Sequence, residues 1–378
     1  MDVLQQCNKN LGIKNMKHRF EVLDIFRGIF ASFIFCYHLS PFANTPLINN
    51  EFFKNLDLFV DFFFVLSGFV ISFRYQSIAS VNELKTFFKK RLLRLYPLHF
   101  ILLFIFVGIE LVKHYFEGHV QINQLNNLNN NWTSFFSSLF LLNSVKLPGV
   151  NDVSWNIPSW SISAETIAYI VFGGTVISIN KFFLNKIKNF VYLFIIAISV
   201  ISLVLITGNL KLTLNYDFGF LRGILGFFTG VICFNGFIYF KKTFQDIPSK
   251  IFSLTESLLI ILMIIMICEG SILKEYGYLY EIFFFISIFI FAFEKGVIST
   301  YIKKPIILHK IGSYSYSIYM LHTLFISIFN IVFIRLLKFP PSAYSYLIIL
   351  NYYIIYKASE WSFKNIEMKF SFKATKKS

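Results

Sequence analysis

Ten apolar runs of about twenty residues constrain this chain more than any other feature. In hydrocarbon every backbone N–H and C=O needs an internal partner, so only helices or closed barrels cross a bilayer. About twenty residues is the length of a helical crossing. The runs lie at 22–40, 57–73, 95–116, 161–180, 189–208, 217–240, 251–268, 277–294, 313–335 and 342–361. They carry none of the in-out alternation of a barrel strand. The expected fold is therefore all-α: a polytopic bundle of about ten transmembrane helices in the lipid bilayer. Its expected parts are a tail over 1–20, a membrane domain over 21–362 and a basic tail over 363–378. An apolar piece from Ser134 to Val145 is too short to cross and is expected to be re-entrant or interfacial.

Composition agrees: charged residues make up 15% of the chain, against about 25% in soluble domains. The first residues are polar and lack a leader pattern, so the first span is expected to be retained. Cys7, Cys36, Cys233 and Cys268 show no metal or redox spacing and read as inert. The net charge of +15 raises nucleic acid as a partner, but its distribution argues against it. Twenty-five of the 35 Lys and Arg fall in the two tails and alternate loops, seven in the opposite loops, and three within spans. Such asymmetry marks the cytoplasmic side. Both termini are expected there, with no nucleic-acid partner.

Charges inside such spans are costly and call for a reason. Arg27 and His38 lie eleven residues apart on the first span. At about 100° per residue this is roughly 20° past three turns, so they share a face, about 16 Å apart along the axis. The plain reading is a snorkelling arginine and a hydrogen-bonded histidine; the functional one is a cation at one depth and a proton-transfer group at another. Orientation puts His38, Asp61, Glu165 and Arg222 at one outer level, where they are expected to face a common polar cavity. Asp24 is placed to pair with Arg27 one turn away. Arg91 and Arg94, at i and i+3 on the cytoplasmic side, suit either a phosphate clamp or anionic lipid. Pro97 just beyond them is expected to break the helix. Trp160 reads as an interfacial anchor and Ser161 or Ser159 as a helix cap, with Glu165 completing a capping box. His322 reads first as a structural hydrogen-bonder near the midplane, and Ser67–Gly68 as packing.

In order and placement these motifs resemble a family of bacterial membrane acyltransferases, acyltransferase type 3. The matching residues are Arg27 with His38, Asp61-Phe62-Phe63 with Leu66-Ser67-Gly68-Phe69, Arg91 to Pro97, Trp160-Ser161 with Glu165, Ser315 to His322, and Phe363-Lys364-Asn365-Ile366-Glu367. Two positions depart from the pattern: Phe59 replaces a usual glycine, and Thr166 a second acidic residue. The resemblance implies a multi-pass protein of the bacterial inner membrane. It would move an acyl group, usually acetyl, from cytoplasmic acyl-CoA to a hydroxyl of a surface polysaccharide, a lipopolysaccharide or a lipid-linked precursor. It implies His38 as general base or acyl carrier, Glu165 and Asp61 as its helpers, and Arg27, Arg91 and Arg94 as holders of acetyl-CoA. Arg222, Trp160, Ser161 and His322 would line the cavity, and no metal is implied. The rival class is a transporter of polysaccharide or lipid-linked sugar, which would use intramembrane charges equally well; against it, the chain shows no internal repeat. A sensor or scaffold would have no use for such costly charges.

Overall fold

A computed structural model describes residues 19–75, 78–115 and 128–375, with backbone alone for 372–375. The amino-terminal tail, with Cys7, lies outside the described residues. Those residues form helices and no strand. The long helices are α1 (Glu21–Leu39), α2 (Phe59–Arg74), α3 (Val81–Tyr115), α5 (Ser159–Lys181), α6 (Lys188–Thr207), α7 (Gly219–Gln245), α8 (Ser249–Cys268), α10 (Ile306–Phe329) and α11 (Tyr344–Ser362). Shorter pieces are α4 (Trp132–Leu139) and α9 (Tyr278–Phe291).

Helix forms at all ten expected places, and eight of the helical segments are long and apolar enough to span a bilayer. The other two fall short for different reasons. α9 has 14 residues, whereas α11 carries Asn351, Lys357 and Glu360 among its apolar residues. The Ser134–Val145 piece does not cross. It forms α4 and a turn held on α3 and α5: Tyr96 OH donates to the Leu139 carbonyl at 2.9 Å, His99 Nε2 lies 2.8 Å from that of Ser138, and Ser163 Oγ donates to that of Leu141 at 2.7 Å.

Two expectations fail on local structure. α3 runs unbroken through Pro97 for 35 residues, because a membrane-spanning helix tolerates one missing backbone hydrogen bond. α5 is preceded by Pro158 with no side-chain cap. Ser161 Oγ instead donates back to the Pro158 carbonyl at 2.9 Å and lies 2.8 Å from the Tyr319 hydroxyl.

Small residues set the central packing. A Cβ on Gly68 of α2 would lie 1.8 Å from the Phe227 carbonyl oxygen, and one on Gly230 of α7 would lie 1.9 Å from that of Val65. α1 and α10 cross as tightly, since a Cβ on Gly28 would fall 2.5 Å from the Gly312 amide nitrogen. Beyond α11 the chain stays helical. Phe363–Glu367 widens into a π-turn, and Glu367 is buried, accepting from Ser317 Oγ at 2.5 Å. This stretch of the expected tail is thus part of the packed body.

Candidate functional site

α1 and α10 run in the same direction, and their contact arranges the site. The close approach at Gly28 and Gly312 lets Arg27 Nε donate to Ser315 Oγ at 2.8 Å and Nη2 to the Gly312 carbonyl at 3.3 Å. Asp24 lies 3.3 Å from the same guanidinium, the expected local pair. Eleven residues further along α1, the His38 ring meets His322 of α10, centroid to centroid at 5.0 Å. Arg27 and His38 thus face one partner helix, as their spacing predicted.

A pocket of about 100 Å3 opens beside Arg27. α3 contributes Arg91 and Arg94, α5 Ser161, Glu165 and Tyr169, α2 Ser67, and α10 Ser315, Tyr316 and Tyr319. Glu165 Oε1 accepts from Ser67 Oγ at 2.5 Å and from the Tyr169 hydroxyl. Tyr316 OH donates to the Leu95 carbonyl at 2.5 Å, which fixes α10 against α3 beside the two arginines. Arg91 is only 7% exposed, yet among the described residues its Nε and Nη1 have no hydrogen-bond partner. The Tyr75 ring centre lies 5.5 Å from its guanidinium carbon. Three cations therefore share this pocket with one carboxylate. Glu367 approaches from the carboxyl-terminal helix. Burial raises its carboxyl above the usual range, while the Ser317 hydrogen bond and the Arg94 and Arg27 charges act in the opposite sense.

The outer level is organised otherwise than expected. Asp61 and Arg222 form a buried two-point pair, Nε to Oδ1 at 2.6 Å and Nη2 to Oδ2 at 2.7 Å. Trp160 is no interfacial anchor: it is buried, its ring centre 5.5 Å from the Arg222 guanidinium carbon. Glu165 belongs with the arginines, and His38 is not among the residues lining their pocket. The four groups expected in one cavity thus divide three ways. Depth follows from counting along a helix, but partner choice depends on rotation about each axis, which packing decides.

His322 is wholly buried. It sits against the Ile318 and Tyr319 backbone of its own helix, and its near ring neighbours are His38 and Tyr319, the latter at 5.9 Å. Tyr319 also lines the arginine pocket, so one side chain borders both groups. Sequence reading gave no site role to Tyr169, Tyr316 and Tyr319, and treated Ser67 as packing. For Tyr316, Tyr319 and Ser67 the signal was their place in the matching motifs; for Tyr169 it was only a polar hydroxyl in an apolar span, which is common in bundles.

Residues 20–356 match the family model for acyltransferase 3, an acyltransferase domain. The chain belongs to the acyltransferase 3 family. In the same comparisons no curated protein and no solved structure matches it. As a multi-pass membrane acyltransferase of this family, it brings its motif residues together in three groups: the arginine pocket, the histidine pair, and Asp61 and Trp160 around Arg222. Among the described residues, no three His, Cys, Asp or Glu side chains converge as metal ligands would.

Proposed function

We propose that this acyltransferase uses cytoplasmic acyl-CoA, acetyl-CoA in the simplest case, to O-acylate a cell-surface polysaccharide or its lipid-linked precursor from the bacterial inner membrane. The observation that carries this reading is Arg91, a buried guanidinium with two unpartnered donors in a pocket shared with Arg27 and Arg94. A buried cation without a partner is costly, and phosphate is the acceptor its fork fits best. A pocket of about 100 Å3 holds on the order of seven waters. It suits the narrow arm of the donor, leaving the nucleotide outside beside Lys89 and Lys90.

The donor supplies a thioester carbonyl. Arg91 and Arg94 hold its phosphates, and Arg27 extends the positive lining toward α10. Neutral His38 accepts the proton of the acceptor hydroxyl as that oxygen bonds to the carbonyl carbon. The carbon–sulfur bond then breaks, and the sulfur takes the proton back from the imidazolium. His322, beside His38, replaces Glu165 as the group that orients the ring. Glu165 keeps Ser67 and Tyr169 in place, and Asp61 holds Arg222.

The test follows labelled acyl groups from acyl-CoA into envelope glycan in membranes carrying His38→Ala. Transfer should fall by about 10²- to 10⁴-fold while protein abundance stays normal. Near-normal labelling of the glycan in that variant would show the assignment to be wrong.

A further inference from the structure

A second, larger cavity of about 620 Å3 lies on the side that the Lys and Arg asymmetry assigns to the outside. Its volume is in the range of small-molecule sites. It opens between the last turns of α3, the start of α4 and the segment leading into α5. Its wall is aromatic: Phe135 stands edge-on to Trp132 and to Trp155, with centroids 6.1 and 6.0 Å apart. Its polar side is a continuous chain. Glu110 accepts from Asn130 Nδ2 at 2.6 Å and pairs with Lys113 at 3.1 Å. Asn130 Oδ1 accepts from the Trp155 amide at 2.7 Å, and Trp155 Nε1 donates to Ser134 Oγ at 3.0 Å. These bonds hold Trp155 at φ +55°, a backbone region that bulky side chains rarely adopt.

We infer that this cavity is a carbohydrate-binding site that holds the acceptor glycan. A sugar ring offers an apolar C–H face to aromatic rings and hydroxyls to amide and carboxylate groups, and both surfaces are present here. The Glu110 and Lys113 charges offset each other, which favours a neutral polyol over a strongly charged ligand. The segment that walls the cavity also reaches α10. One residue after Trp155, the buried Asn156 donates to the Met320 carbonyl at 3.1 Å and accepts from Thr323 Oγ1 at 2.7 Å, on either side of His322. The segment that would hold the chain is thus tied by hydrogen bonds to the helix that carries His322. This extends the reading above by naming where its acceptor is held.

The probe is a mixture of short oligosaccharides released from the cell's own envelope and stripped of esters by mild alkali. Binding is measured with the full-length protein in lipid nanodiscs. Trp132 is 79% exposed, so replacing it does not disturb the core. Wild type should bind the mixture, Trp132→Ala should bind it at least tenfold more weakly, and Trp132→Tyr should restore most of the affinity. Absence of binding by wild type, or equal binding by Trp132→Ala, overturns the inference. So does displacement of a fluorescent phospholipid that the oligosaccharides cannot compete away, which makes the cavity a lipid site. Thioester consumption, measured in parallel, separates the two readings. Turnover of acyl-CoA without sugar binding rejects only the cavity, and sugar binding without turnover rejects only the acyl-CoA reaction.

Discussion

Arg222 and Arg91 are both arginines buried in an apolar bundle, 5% and 7% exposed, and they are opposite cases. Arg222 has both oxygens of Asp61, and its third nitrogen donates to the Leu214 carbonyl at 3.3 Å. Arg91 has a tyrosine ring beside it and two nitrogens without a hydrogen-bond partner among the described residues. A buried charge is tolerable when it is paired and hydrogen-bonded. Arg222 meets that condition within the protein. On the proposed reading Arg91 meets it through a donor phosphate, so that the first serves the fold and the second a ligand, although the sequence presents both as charges in or beside a span.

The comparison breaks first at Arg222. Arg222→Ala leaves the Asp61 carboxylate buried and alone, a loss of about 3–5 kcal/mol, seen as little folded protein in the membrane and a lower melting temperature. Asp61→Leu with Arg222→Met should recover most of that stability, because an apolar pair replaces a buried ion pair at small cost. A stable single mutant would remove the distinction. Arg91→Ala with Arg94→Ala should do the reverse. Abundance holds or improves, while the KM for acyl-CoA rises about 10- to 100-fold per arginine, as expected when a charged hydrogen bond worth about 1.5–3 kcal/mol is lost. An unchanged KM would put the anion elsewhere. Gly68→Ala tests the scaffold behind both. Its new methyl meets the Phe227 carbonyl, and overpacking of about 1–3 kcal/mol should appear as lower thermal stability without a change in KM. The smallest effect is Ser67→Ala, which takes one of two hydroxyl donors from Glu165. About 1 kcal/mol should be lost, with turnover reduced less than tenfold; a larger drop would give Ser67 a direct part in the chemistry.

Much of the architecture was legible, because apolar length and charge asymmetry are consequences of the solvent rather than of tertiary detail. The shared face of Arg27 and His38 was legible for the same reason: helical periodicity alone sets it. Partners were another matter. Asp61 and Glu165 sit at similar depth, yet one meets Arg222 and the other Ser67 and Tyr169. That choice depends on how α2 turns against α7 and α5, fixed by contacts such as Gly68 on Phe227. Pro97 misled because the rule for helix ends comes from water-exposed chains, whereas α3 is apolar and long enough to span a bilayer, where prolines are tolerated. The pairing of His322 with His38 escaped because a histidine in an apolar span gives no sign of which ring it will face.

The single helix α1 has a metric consequence. Because Arg27 and His38 are both carried on it, their separation, about 16 Å of straight helix, behaves as a ruler built into the backbone. On the proposed reading, a donor gripped by its phosphates must extend far enough to bring its carbonyl to the far mark. Truncated thioesters that lack the anionic end cannot register at both marks at once. Donors are then selected by reach before any side chain inspects the acyl group.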